Sequence, residues 1–300
     1  MSKTWLVLLI GGVVVVAFLM VAAVAAFVFL PQIQDWMAGE PQGPVLVYEV
    51  DPESLFPGQE VDMDKLVQAI NRRLNPGRER LARVRRLDDQ RIEVAVVGKG
   101  EDSKQRVEKL LASIGSLEFR ILANTRDNKD LIEQALADPS KTRIKDKAGM
   151  LLAWWVHVKT GQESSLASFS DIAVRTKMNA GRQTTEVLVL NDDYNITGAY
   201  LSRAGSSEAE GKPCITFSFN KYGGQLLGQL TGNHLPDKLT GFAYKLAIIF
   251  DDEVYSAPSI QSTIYDNGQI TGSFTNEEVE FLSNVLNAGS LPARIRPVKK

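Results

Sequence analysis

Hydrophobic and polar positions divide the chain into regions of different rhythm. From Trp5 to Leu30 every residue is apolar or glycine, and about twenty apolar residues suffice to span a bilayer. A short Gly- and Pro-bearing tether follows, residues 31–44. Beyond it, periods of 2 and 3.6 alternate, as strands and amphipathic helices require. Val45 to Val50 predicts a strand, and Met63 to Leu74 a helix opened by Asp62. Val84–Asp88 and Arg91–Val97 predict a hairpin turned at Asp88-Asp89-Gln90. Val107, Leu110, Leu111 and Ile114 share a helix face that ends at Gly115, and Leu117 to Leu122 predicts the next strand. That order, β-α-β-β-α-β, is the ferredoxin-like pattern.

The C-terminal part repeats the order without obvious residue identity. Ile215–Asn220 predicts a strand and Tyr222–Leu230 a helix. Tyr244–Phe250 and Val254–Ile264 predict a hairpin at Asp251-Asp252. Ser262–Tyr265 and Ile270–Phe274 flank Asn267-Gly268, a strong short hairpin signal. Thr275 with Glu278 predicts a capping box, and Val279, Leu282, Val285 and Leu286 form one helix face before Gly289 and Pro292. Arg294–Val298 closes the unit as a strand. Between the halves, residues 123–212 differ in character, with an amphipathic start (Leu131, Ile132, Ala135, Leu136), the pair Trp154-Trp155 and a strand at Glu186–Leu190. The expected fold is therefore α+β: a transmembrane helix within residues 1–30, a linker over 31–44, base halves at 45–122 and 213–298, each ferredoxin-like, and an inserted α+β head at 123–212.

Charge and composition narrow the function. Net charge is −2 over 300 residues, which gives no bulk electrostatic support for nucleic-acid binding. Cys214 is the only cysteine, so no intrachain disulfide is available, and its place in an apolar-rich strand reads as a buried small side chain. The apolar run reads as an anchor in the lipid bilayer through residues 5–30, because a cleaved signal has a core of about 7–15 residues, although Ala23-Val24-Ala25 mimics a cleavage site. Lys3 favours a cytoplasmic N-terminus, leaving the bulk of the chain extracytoplasmic. No ionisable residue lies within the run, so it offers no proton path of its own.

The candidate chemistry is thin. Asp192-Asp193 and Asp251-Asp252 supply carboxylates, but adjacent residues beside strands read as turns. His157 and His234 have no partners at metal-ligand spacing. The glycines after Asn220 lead to Gln229-Leu230 rather than to the Lys-Ser or Lys-Thr of a phosphate loop. Asn195-Ile196-Thr197 matches a glycosylation sequon inside a segment better explained by the fold. No enzyme activity, cofactor or metal is expected. What remains is surface recognition. Alternation sends Trp154 and Trp155 to opposite faces of a strand, and an exposed ring there would suit a binder of unfolded polypeptide; the plain alternative packs both inside.

Several stretches have a familiar wording. LEFRILAN (Leu117–Asn124), DDYNITGAYL (Asp192–Leu201), PCITFSFN (Pro213–Asn220), GQLTGNHLP (Gly228–Pro236), LAIIFDDEVYSAPSIQS (Leu246–Ser262) and ITGSFTNEEVEFLSNVLNAGSLPARI (Ile270–Ile295) occur in this order. Together they resemble the first extracytoplasmic domain of the SecD protein-export family, over roughly residues 43–298. Two departures stand out. The family's Asp-Leu-x-Gly-Gly phrase is replaced by GEPQGPVLVYEV (Gly39–Val50), and the chain stops at Lys300, where the family continues into further membrane helices. Either a truncated SecD or a natural single-span relative fits. The resemblance implies an auxiliary component of Sec-dependent translocation at the bacterial inner membrane, with an unfolded preprotein, a SecF-like subunit and a SecYEG-type channel as partners. It also implies a mobile head at the inserted position. The alternative is a single-span envelope scaffold that kept the fold without translocation activity.

Overall fold

The structure, a computed structural model, describes residues 43–298 except 56–59, 78, 164, 165, 167 and 180. The apolar run at 5–30 and most of the tether lie outside the described residues. Among the described residues no helix is long and apolar enough to cross a membrane.

The first elements form where their pattern places them. Strand β1 (Val45–Val50) leads to α1 (Met63–Leu74), whose N-cap Asp62 accepts hydrogen bonds from the N–H groups of Asp64 and Lys65, both at 3.1 Å. That satisfies two of the donors a helix start leaves orphaned. Strands β2 (Ala82–Arg86) and β3 (Arg91–Val96) form the expected hairpin, and α2 (Glu101–Ala112) follows. Leu66, Ile70, Leu74, Val107 and Leu111 from the two helices enter one core with Ile92 and Val94.

Neither half closes a sheet of its own. The four-stranded sheet runs β15-β1-β3-β2, so β15 (Ile295–Pro297), from the chain's far end, takes the place beside β1. Strand β4 (Leu117–Ile121) instead pairs with β12 (Leu246–Phe250). Burial gives the reason. Four of five residues in β4 and all five in β12 are buried, so both must lie inside a sheet covered on two faces. In contrast, β1 and β15 are mostly half-buried or exposed and suit a sheet with one solvated face.

Residues 123–212 supply α3 (Lys129–Ala137), β5 (Arg143–Lys145), β6 (Leu151–Val158), β7 (Val174–Asn179), β8 (Arg182–Leu190), β9 (Ile196–Thr197) and β10 (Leu201–Ala209). Pairing does not stop at either end of this segment. The eight-stranded sheet has the order β7-β8-β6-β13-β12-β4-β9, with β5 also on β6. Strand β6 meets β13 (Glu253–Ser256) in parallel at Glu253–His157 and Val254–Val158. Strand β10 pairs along its length with β11 (Lys212–Phe219), in a three-stranded sheet β10-β11-β14. The 212/213 boundary thus falls just after the hairpin turn between β10 and β11.

The Asn267-Gly268 hairpin does not form. Both residues lie inside β14 (Asn267–Ile270), which pairs antiparallel with β11, and 262–265 is not a strand. Gly268 is there for space: a Cβ would lie 2.7 Å from the Phe217 ring. The predicted strand at Val254–Ile264 likewise ends at Ser256, two residues before Pro258, whose missing N–H ends a ladder. Helix α4 (Lys221–Gly232) follows β11, and α5 (Asn276–Ala288) carries the complete capping box. The Asn287 amide docks α5 on β10, exchanging two 2.8 Å hydrogen bonds with the Ala204 backbone.

Candidate functional site

Strand β6, the strand of the tryptophan pair, sits inside the eight-stranded sheet between β8 on one side and β5 and β13 on the other. Alternation does send the two rings to opposite faces. Trp155 is only 6% exposed, within a core of Ala123, Ile132, Ala135, Ile144 and Leu188. Trp154 is half-buried against the opposite core of Leu122, Val156, Val187 and Val189. Each ring carries an arginine: Arg175 lies 4.2 Å from the Trp155 centroid and Arg120 lies 5.3 Å from that of Trp154. Such contacts hold the rings by the attraction of a cation for an aromatic face. Trp155 is thereby a packed core residue, and only Trp154 presents part of its surface.

Both arginines are anchored in turn. Arg175 Nε donates to Glu186 Oε2 at 2.6 Å, and its Nη1 donates to the Lys141 carbonyl at 3.0 Å. Glu186 is 3% exposed, a buried carboxylate that needs a partner of this kind. Its other oxygen lies 3.4 Å from His157 Nδ1. Arg120 donates to Glu118 Oε2 at 2.8 Å and to the Asn195 side-chain oxygen at 2.6 Å, with Asp192 at 3.6 Å. Asn195 is therefore occupied by the fold, in a tight turn with φ of 43°.

The remaining polar candidates also serve turns and packing. Asp192 Oδ1 accepts from the N–H groups of Tyr194 and Asn195. Asp251 and Asp252, with φ of 49° and 66°, make the two-residue turn between β12 and β13. Asp251 accepts from Ser113 Oγ at 2.6 Å and Ser116 N–H at 2.9 Å, and Asp252 pairs with Arg294. His234 Nδ1 lies 2.7 Å from the Leu230 carbonyl, with its ring edge-on to Tyr244. Among the described residues no three His, Cys, Asp or Glu side chains gather as a metal site needs. On α4 the glycines let neighbours approach closely, since a Cβ on Gly224 would lie 3.0 Å from the Tyr265 carbonyl oxygen. Cys214 is buried, 1% exposed.

Sequence reasoning missed a second cluster, at the end of β6. Lys159 Nζ donates to Glu278 Oε1 at 2.7 Å, and it lies 4.5 Å and 5.1 Å from the ring centroids of Tyr255 and Phe274. Glu278 is also the capping-box residue of α5, so one carboxylate joins a helix start to a strand end 119 residues away in sequence. Burial alone would raise its pKa, but the hydrogen bonds from Lys159 and the Thr275 N–H, with the Lys159 charge, hold it below the ordinary range. Burial pushes the Tyr255 hydroxyl up to about 12, helped by Glu253, Asp251 and Glu278. No local motif announces this cluster, because Lys159, Tyr255 and the Phe274–Glu278 stretch come from three separate parts of the sequence.

Comparison with known proteins completes the description. A family model described as "SecDF, P1 head subdomain" matches residues 173–293, a range that includes most of 213–298, expected above to be base. "Protein translocase subunit SecD" of Elusimicrobium minutum is 37% identical over 113 residues, covering 37% of this chain and 22% of that protein. The protein of the same name from Calditerrivibrio nitroreducens is 26% identical over 255 residues, covering 84% of this chain and 43% of its own length. The chain thus spans less than half of either relative. A solved structure described as "Structure and function of a membrane component SecDF that enhances protein export" superposes with a TM-score of 0.56 at 21% identity, covering 86% of this chain and 99% of that one. The class is accordingly a mixed α+β domain sharing the fold of SecDF periplasmic domains. The chain is thus similar to the SecD family, over residues 173–293 by the family model and over 84% of its length by the Calditerrivibrio relative.

Proposed function

We propose that this chain acts as a SecD-like auxiliary component of Sec-dependent protein translocation, binding an emerging unfolded polypeptide on the extracytoplasmic side and impeding its return. The alignment to a SecD translocase subunit over 84% of the chain carries this reading. In it, residues 5–30 anchor the chain in the inner membrane with the N-terminus cytoplasmic, and a SecF-like subunit and a SecYEG-type channel are the partners. Residues 123–212 meet the passing chain, while 45–122 and 213–298 hold them in place. Because β6–β13, β9–β4 and β10–β11 all pair across this division, any motion of the head against the base must part those pairings. The role is binding and mechanical, without covalent chemistry. Of the tryptophan pair, Trp154 is the better contact, since its surface is not fully spent on the core.

Two measurements test the reading. Purified in mild detergent from its native membrane, the chain should bring translocon components with it. Other envelope proteins in their place would support the scaffold alternative. A photoreactive unfolded preprotein should crosslink to the chain, and Trp154→Ala, shown to be folded, should crosslink less. Equal crosslinking by that variant removes Trp154 from the proposal. Trp155→Phe serves as the packing control.

A further inference from the structure

The β11–β14 ladder ends at the pair Ile215–Ile270, and beyond it the two chains separate. On one side Lys212, Pro213 and Cys214 still pair with β10 but have no strand among the described residues on their other edge. On the other side run Thr271, Gly272 and Ser273, which belong to no strand. The opening is a cleft of about 490 Å³, within the size range of ligand sites. A smaller cleft of about 240 Å³, reaching Leu166, Phe169 and Ala257, shares Gln162, Thr271 and Gly272 with it. The two make one trough with Gln162 at the join.

Gln162 is 7% exposed, and its Nε2 has no hydrogen-bond partner among the described residues. A buried amide left without a partner is costly, so natural folds rarely keep one unless something else fills the need. Gly272 keeps the floor open here: a Cβ would stand 3.1 Å from that same Nε2. Pro213, whose nitrogen faces the open side by alternation from Phe219, gives that edge a carbonyl but no N–H, for a strand zipping up from β14 and for an added chain alike. The trough therefore combines a parted strand edge, an unused buried donor and side chains that both donate and accept, Gln269 and Ser273 among them. An extended backbone matches this set, since it carries alternating N–H and C=O groups and adds to strand edges whatever its side chains.

We propose that the trough between β11 and the chain leaving β14 is the subsite that holds the backbone of an extended polypeptide, with Gln162 Nε2 donating to one of its carbonyls. The proposal rests on the polypeptide-binding reading above and gives that reading a location, at the seam where Gln162 and Ala209 of the head face Pro213 and Thr271 of the base half. It accounts for binding without sequence preference, because backbone groups are common to every chain.

The test uses the full chain in detergent and a fluorescent, benzophenone-bearing synthetic peptide of mixed sequence, alongside the same peptide N-methylated on alternate residues. Anisotropy should show binding of the first peptide and markedly weaker binding of the second. Irradiation of the parent complex should crosslink to 209–214 or 269–273. Gln162→Leu should weaken binding about tenfold, and Thr271→Trp, which fills the trough, should abolish it. If the parent binds but crosslinks elsewhere, or methylation changes nothing, the trough is not the subsite and the broader reading survives. If the parent binds neither peptide, both proposals fall. The crosslinking result stands on the parent alone, so a variant that misfolds does not alter it.

Discussion

At the scale of single residues, Arg73 is the least expected feature of the chain. It lies on α1 among Leu66, Ile70 and Leu74, on the face that enters the core, and is 1% exposed. Its guanidinium donates to the carbonyls of Leu110, Ser113 and Ile114, where α2 ends, and to that of Gly289, where α5 ends. Helix C-termini leave carbonyls unpaired and carry partial negative charge, so one cation between two such ends meets both needs. Gly115 permits the approach, since a Cβ there would lie 2.5 Å from Nη2 and its φ of 77° already favours glycine. Burial lowers the Arg73 pKa to about 10, opposed by the charge of Asp251, and the group stays charged at neutral pH. Arg73→Met keeps the stem but takes a charged donor from four carbonyls, of which Ile114 still accepts from the Leu291 N–H, and we expect it to lower unfolding stability by about 3 kcal/mol or more. Arg73→Lys should recover only part, because one ammonium cannot reach both helix ends. Urea unfolding checks both; a Met variant as stable as the parent would mean that the cage contributes nothing. The sequence contained a signal here: a lone charge at a core position of an amphipathic helix.

At the scale of elements, the sequence made local structure readable and left partners hidden. Caps were legible because they are satisfied within four residues, as Asp62 and the Thr275–Glu278 box show. The Asp251-Asp252 turn was legible for the same reason. The exchange of β4 and β15 was not, because a strand's period says which face is buried and not which strand lies beside it. The Asn267-Gly268 pair was misleading, since glycine also serves where a ring needs room. That distinction can be measured. In a two-residue hairpin, Gly268 would be needed for positive φ; in β14 it is needed because the Phe217 ring occupies the Cβ position. Gly268→Ala should therefore destabilise by about 1–3 kcal/mol as an overpacked site, and pairing it with Phe217→Leu should restore much of the loss. A double-mutant cycle with no coupling between the two positions would count against ring contact as the cause.

At the scale of the whole molecule, the candidate site became visible only when distant segments met. Trp154 and Trp155 could be placed on a strand from alternation, but Arg120 and Arg175, which lie against their rings, come from other strands. The Lys159 cluster goes further, fastening the end of β6 to the start of α5 and to Tyr255 on β13. Its contribution should depend on pH in a direction fixed by Glu278. The folded-state pKa of that carboxyl is lowered from its ordinary 4.5. A lowered carboxylate pKa stabilises the fold above the unfolded value, and the contribution is lost as pH falls through the folded one. The fastening is therefore fully present at neutral pH and disappears in acid, below 4.5. Lys159→Met removes the cation while keeping a stem that can lie against Tyr255 and Phe274. Its melting temperature should fall below the parent's at neutral pH, and the two curves should converge as pH drops through the window below 4.5. A constant gap across that window would show that Lys159 acts by packing rather than by charge. If β6 and β13 do part during function, the same variant should also expose their paired N–H groups to faster hydrogen exchange at neutral pH, because the contact that spans the junction has been removed.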